Sequence, residues 1–115
     1  MKTLKEFINE STNNKLEGIK TNLDKNLPDD IKCDINNNNI IVLSYAIDKS
    51  GKPEDLNQKF IDLLEKSNVD LEKNNLSTFK FINNSDKPVI WISDNETLDR
   101  YKKQLKEGKD YKKEF

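Results

Sequence analysis

The chain has 115 residues, a length that suits a single domain with one modest hydrophobic core. Its 20 basic and 21 acidic side chains leave a net charge of −1, so no overall field draws it to nucleic acid or to a membrane surface. No apolar run approaches the roughly 18 residues needed to cross a bilayer. The composition therefore predicts a small globular protein without a membrane partner.

Histidine is absent and Cys33 is the only cysteine. An internal disulfide is therefore excluded, and the chain fits a reducing compartment such as the cytoplasm. The missing histidine removes the commonest general base and the commonest transition-metal ligand, and the three glycines form no phosphate-binding loop. We predict no catalytic residues, no metal, no cofactor and no enzymatic activity, with Cys33 as a buried structural thiol.

The first predicted element is a short amphipathic stretch, residues 1–10, in which Leu4, Phe7 and Ile8 share one helical face. A segment of about ten residues is too short for a stable helix in water. We therefore expect it to fray unless a partner binds its apolar face. The polar run that follows, residues 11–14, is expected to be extended and accessible.

A helix is predicted from Lys15 to Asn26. Asn14 and Glu17 have the spacing of an N-terminal capping box, and Pro28 favours an end before it because the residue preceding a proline avoids the α region. The apolar positions repeat at helical intervals and are Leu16, Ile19, Leu23 and Leu27.

A β-hairpin is predicted next. Residues 31–35 alternate between apolar and polar, which indicates a strand with one wet face. Residues 40–47 are rich in β-branched and aromatic side chains, which favours a central strand. The asparagine run between them, residues 36–39, is typical of a turn.

Four further elements complete the chain. A helix is predicted from Pro53 to Lys66, because proline suits a first helical turn and an apolar stripe follows it. Strands are predicted over residues 77–83 and 89–92. A capping pattern beginning at Ser93 starts a last helix, which Gly108 ends.

The predicted order of elements is α-β-β-α-β-β-α. Short hairpin links favour antiparallel pairs, so the fold class is α+β, with a four-stranded, mostly antiparallel sheet. All the helices are expected to pack on one face of that sheet, where the apolar stripes are buried together. The opposite face would then be open, and Tyr45, Phe79 and Trp91 would form a possible binding surface on it.

The end of the chain, from Arg100 to Phe115, carries seven basic and three acidic residues. A possible basic patch lies at Arg100, Lys102, Lys103 and Lys106, and such a patch beside tyrosines is a feature of nucleic-acid-binding modules. The alternative, which we favour, is a solvated helix end whose cations suit the helix dipole.

Carboxylates leave one enzymatic alternative open, a metal-dependent site. Turn and helix-cap preferences account for the same residues, and this is the reading we favour. The candidates form two sets, Asp29, Asp30, Asp34 and Asp48, and Asp86, Asp94 and Glu96.

The first eleven residues resemble a known kind of leader. They read Met1-Lys2-Thr3-Leu4-Lys5-Glu6-Phe7-Ile8-Asn9-Glu10-Ser11. This stretch is similar to the capsid-targeting leader of the internal head proteins of T-even-like tailed phages. In that family a short amphipathic peptide docks on the prohead scaffold, and the prohead protease cuts after the glutamate of a Leu/Ile-x-Glu motif.

The resemblance implies a docking face at Leu4, Phe7 and Ile8. It also implies a processing motif at Ile8, Asn9, Glu10 and Ser11, with cleavage after Glu10. The chain would then consist of a leader, residues 1–10, and one α+β domain, residues 11–115.

The function implied by the resemblance is that of a phage cargo protein. Its partners would be the prohead scaffold and protease, and its location the virion interior and then the host cytoplasm. Its domain would act as a binding protein, with an unknown host protein such as a defence factor as target. The alternative is a small nucleic-acid-binding or protein-interaction module of a phage or of a bacterium with an AT-rich genome.

Overall fold

We analysed a computed structural model of the chain. It describes the backbone of residues 4–36, 39–108 and 111–115, and side chains within these ranges from residue 15 onward. The elements in chain order are α1 (Leu4–Asn26), β1 (Ile31–Asn36), β2 (Ile40–Tyr45), α2 (Pro53–Lys66), β3 (Ser77–Ile82), β4 (Pro88–Ser93), α3 (Asn95–Glu107) and β5 (Lys113–Glu114).

Helix α1 is longer than predicted. It begins at Leu4 rather than Lys15 and continues without a break through residues 11–14, which were expected to be extended. Once the buried part of a helix is formed, each added residue gains a backbone hydrogen bond without a new nucleation cost. This explains how the polar run becomes helical. The side chains of Leu4, Phe7 and Ile8 lie outside the described residues, so the leader docking face stays a prediction.

The sheet has five strands in the described part of the chain, not four, in the order β1-β2-β4-β3-β5. Every adjacent pair is antiparallel. The two hairpins, β1–β2 and β3–β4, are joined by α2, and β2 pairs with β4 at the centre. The fifth strand has only two residues, too few to give an alternating pattern that the sequence could reveal.

The first face of the sheet is covered by α1 and α2, and it carries the larger hydrophobic core. Side chains from β1, β2 and β4 alternate inward here and meet the apolar stripes of the two helices. Helix α2 has the predicted bounds, Pro53–Lys66, with acidic residues in its first turn and Lys66 in its last. The main buried members are Leu16, Leu23, Cys33, Ile41, Leu43, Leu56, Phe60, Ile90 and Ile92.

Helix α3 packs on the second face, which contradicts the expectation that all helices share one face. Its Leu98 is buried against Phe79 and Phe81 of β3, and Trp91 packs at the same cluster. Strand β4 explains the difference, because its apolar residues occupy both alternating positions and both of its sides must be covered. The continuous apolar run from Val89 to Ile92 was the sequence signal for two covered faces.

The start of α3 differs by one residue from the expected capping pattern. Asp94, not Ser93, is the N-cap, and its carboxylate accepts a hydrogen bond from the Thr97 N–H at 3.1 Å. The buried Ser93 hydroxyl donates instead to the Asn39 carbonyl oxygen in the β1–β2 turn. Gly108 ends the helix as predicted, with its N–H bonded to the Gln104 carbonyl.

The first core makes a direct prediction for Ile92. Its side chain is fully buried, so Ile92→Ala should leave a cavity and lower the free energy of unfolding by about 2–5 kcal/mol. Urea unfolding followed by circular dichroism measures the change. Ile61→Ala, at a helix position that is 38% exposed, is the matched control and should lose far less. Equal losses for the two variants would contradict the packing described here.

Candidate interaction site

The three aromatic residues predicted as one binding surface are separated by the fold. Phe79 is only 2% exposed and lies beneath α3. Trp91 is half-buried beside it, with ring centroids 5.8 Å apart. Tyr45 packs against the core of the first face. The second face is therefore partly filled by its own aromatic cluster, and these residues do not form one exposed patch.

The predicted basic residues of α3 lie at i, i+3 and i, i+4 spacings, so they occupy neighbouring positions on one side of the helix. The Lys102 ammonium lies 4.8 Å from the centroid of the Phe79 ring, and the Lys106 ammonium lies 5.2 Å from that of Tyr111. These contacts are cation–π interactions that fasten α3 and the chain end to the aromatic cluster. Arg100 and Lys103 are exposed and lie one turn apart on the helix.

A groove opens on the part of the second face that α3 does not cover. Its floor is a row of paired residues across three strands, Lys32 of β1, Ser44 of β2 and Val89 of β4. The β2–α2 loop forms one wall and the β3–β4 turn forms the other. The volume is about 210 Å³, below the ~300–1,000 Å³ of pockets for small-molecule ligands.

Three lysines give this groove its charge. Lys32, Lys49 and Lys87 line it, and among the described residues none of their ammonium groups makes an ion pair or a hydrogen bond. The groove also contains Asp86, whose carboxylate accepts a hydrogen bond from Lys112. The local charge is therefore positive. We call the site lined by Lys32, Lys49, Lys87, Ser44, Val89 and Ile47 the lysine groove.

Ile47 adds an apolar contact at the rim. Its side chain is 83% exposed and belongs to the β2–α2 loop beside Val89 and Pro88. An exposed branched side chain is unremarkable alone, but here it stands over a floor that is also partly apolar. The site therefore combines apolar contacts from Val89 and Ile47 with the positive charge of its lysines.

The loop that carries Ile47 and Lys49 is held by Tyr45. The Tyr45 hydroxyl donates to the Lys52 carbonyl oxygen at 3.3 Å, and its ring lies so close to Gly51 that a Cβ there would overlap it. Below the ring, the Lys59 ammonium donates to the Asp30 carboxylate and holds the pKa of that carboxyl below its usual range. Tyr45 thus positions one wall of the groove instead of presenting an open aromatic surface.

The described residues contain no group of three or more histidine, cysteine, aspartate or glutamate side chains able to hold a metal ion. Three of the seven carboxylates of the metal-site alternative have local structural roles. Asp30 pairs with Lys59, Asp86 with Lys112, and Asp94 caps α3. Within the same part of the chain, no helix is both long and apolar enough to cross a bilayer.

Comparisons with known proteins identify no relative. No protein-family model matches the chain, and neither the curated proteins nor the solved structures include a match. The function is therefore inferred from the residues and from their geometry.

Sequence reasoning did not find the lysine groove. Its three lysines come from β1, the β2–α2 loop and the β3–β4 turn, which are brought together only by the pairing of β2 with β4. The one available signal was Ile47, an apolar residue beyond the end of β2 that directly precedes the segment Asp48–Lys52, which has no large apolar side chain.

Cys33 is buried, as predicted, and its thiol should be unreactive toward thiol reagents in the native protein. Burial raises the pKa of the Cys33 thiol to about 12, with a further contribution from the Asp24 carboxylate. At pH 8 the native protein should therefore react with a thiol reagent such as DTNB far more slowly than the urea-unfolded chain, because the thiolate is the reactive form. Absorbance at the thionitrobenzoate band measures both rates. Equal rates in native and unfolded protein would contradict the burial of Cys33.

Proposed function

We propose that this protein is a binding protein, and that the lysine groove is the site at which it engages an acidic, extended segment of a partner protein. The observation that carries the proposal is that three lysine ammonium groups, none of which makes an ion pair or a hydrogen bond with a described residue, line a groove whose floor is partly apolar. Charges of one sign around such a site steer an oppositely charged partner and set its orientation.

The shape of the groove supports a peptide segment as its occupant. The groove runs across the ends of β1, β2 and β4 between two loops, and it is smaller than a usual small-molecule pocket. An extended chain directs alternate side chains to opposite sides. One apolar side chain can then contact Val89 and Ile47 while acidic neighbours meet Lys49 and Lys87.

The test is a charge reversal in the groove. Lys49→Glu/Lys87→Glu should weaken binding of a synthetic peptide of alternating glutamate and valine by about tenfold or more at low salt, because two attractions become repulsions. Lys25→Glu/Lys103→Glu changes the net charge equally at exposed positions outside the groove and is the control. Fluorescence anisotropy with labelled peptide measures both affinities.

Two outcomes would count against the proposal. One is equal weakening by the groove and control variants, which would indicate a general charge effect. The other is failure of the unchanged protein to bind the peptide. Binding of an oligonucleotide instead, lost on changing Lys102, Lys103 and Lys106 to alanine, would support the nucleic-acid-binding alternative.

We propose further that residues 1–10 deliver this domain into a phage head. The support is the resemblance of the first eleven residues to the capsid-targeting leader of T-even-like internal head proteins. In this reading the prohead scaffold binds Leu4, Phe7 and Ile8, and the prohead protease recognises Ile8-Asn9-Glu10. The delivered domain then meets its target, such as a host defence factor, in the host cytoplasm.

The backbone of α1 sets a condition on such processing. Residues 8–11 are helical, so a protease that needs an extended substrate must first unwind this part of α1. The first described core residue of the helix is Leu16. Unwinding of residues 8–11 therefore breaks no described core contact, and a helix end of this kind opens readily.

Processing predicts a defined product. Mass spectrometry of virions from the source phage should find a form that begins at Ser11. Glu10→Gln should leave the chain uncut but still packaged, because the apolar docking face is unchanged. Deletion of residues 2–10 should prevent packaging. A virion form of the unchanged protein that keeps Met1, or its absence from virions, would contradict the proposal.

A further inference from the structure

The free edge of the sheet at β1 has a pattern that fits a second copy of itself. The opposite edge is occupied, because the chain end pairs with β3, with the Lys112 N–H bonded to the Ile82 carbonyl at 2.9 Å. No described strand pairs with the outer side of β1. From the geometry of this edge, we infer that two copies of the protein associate through antiparallel pairing of β1 with β1 of the partner.

The hydrogen bonds between β1 and β2 decide which backbone N–H and C=O groups of β1 can pair with a second copy. The Asp30 carbonyl accepts a hydrogen bond from the Ala46 N–H at 2.9 Å, and bonded pairs alternate along an antiparallel ladder. With the observed register, Lys32 and Asp34 therefore direct their backbone groups toward β2. Ile31, Cys33 and Ile35 direct theirs outward, although the Ile31 N–H is already bonded to the Pro28 carbonyl.

A two-fold axis between Cys33 and the partner's Cys33 brings the outward-directed N–H and C=O groups of the two strands into hydrogen-bonding positions. Cys33 then pairs with the partner's Cys33 through two backbone hydrogen bonds. The Ile35 N–H of each copy reaches the partner's Ile31 carbonyl, which adds two more. The occupied Ile31 N–H is not needed for any of these bonds.

The charges select the same register. With the axis at Cys33, Lys32 lies opposite the partner's Asp34, and Asp34 lies opposite the partner's Lys32. Both side chains are exposed on the second face of the sheet, at non-hydrogen-bonded positions where opposing side chains are closest. A shift by one step of the ladder in either direction places Lys32 against Lys32 or Asp34 against Asp34, which is repulsive. Only one of the three registers therefore pairs opposite charges.

The inferred interface is small, with four backbone hydrogen bonds and two ionic contacts. We expect a weak dimer, with Kd between about 10 μM and 1 mM. The lysine groove shares Lys32 with this edge but not Lys49 or Lys87, so the groove variants above leave the dimer unchanged. Failure of one proposal is thus distinguishable from failure of the other.

Charge reversal gives the decisive experiment. In sedimentation equilibrium at up to about 1 mM, the unchanged protein should dimerise, whereas Lys32→Asp alone and Asp34→Lys alone should each weaken dimerisation about tenfold or more. An equimolar mixture of these two variants should form a heterodimer, because each opposing pair is again of opposite charge. Lys25→Asp is the control and should dimerise like the unchanged protein, and circular dichroism checks that each variant is folded.

Hydrogen exchange supplies an independent readout. The amides of Cys33 and Ile35 should gain protection as protein concentration rises, whereas the Ile31 amide should be protected at every concentration by its bond to Pro28. A chain that stays monomeric at about 1 mM would overturn the inference. So would a mixture of the two charge variants that forms no heterodimer, or Cys33 and Ile35 amides whose exchange does not depend on concentration.

Discussion

Strand β4 is apolar on both of its sides, and most of the architecture depends on that constraint. Ile90 and Ile92 point to one face of the sheet, and Val89 and Trp91 point to the other. Such a strand can be placed only between neighbouring strands and between two covered faces. Two helices cover one side of β4 and α3 covers the other, and the hydrophobic effect on this one strand orders all three layers.

Helix α3 covers less of the second face than α1 and α2 cover of the first. Part of the second face is therefore open. Helix α3 and the chain end lie over the β3 side, where Phe79 and Phe81 form the floor of their cluster. Strand β1 and the adjacent part of β2 are left uncovered on this face. Apart from Val42, which lies opposite Asp34, the side chains there are polar or charged, including Lys32 and Ser44, so exposure costs little. The lysine groove and the free edge of β1 are both consequences of this incomplete cover.

The proposed activities depend on largely separate parts of the molecule, although the lysine groove and the β1 edge share Lys32. In these proposals, delivery into the phage head depends on residues 1–10 and partner binding depends on Lys49 and Lys87. Self-association depends on the outer side of β1. Lys49 and Lys87 lie outside the two buried cores, in which Leu43, Ile92 and Leu98 supply stability.

The sequence by itself determined most of the local elements and the side chains that are available for chemistry. Proline and an apolar stripe defined α2 to the residue, alternation defined β1, and the lack of histidine argued against histidine-based catalysis. The length of α1 depended on propagation from its buried part, which local signals at residues 11–14 do not report. Only the tertiary structure decided the side on which α3 packs, the pairing of β5 and the convergence of Lys32, Lys49 and Lys87. Local hydrogen bonds and side-chain periodicity depend on residues that are close together in the sequence, so short stretches of chain are enough to predict them. The order of strands is decided by burial between residues far apart in sequence, so the groove exists only after β2 has paired with β4.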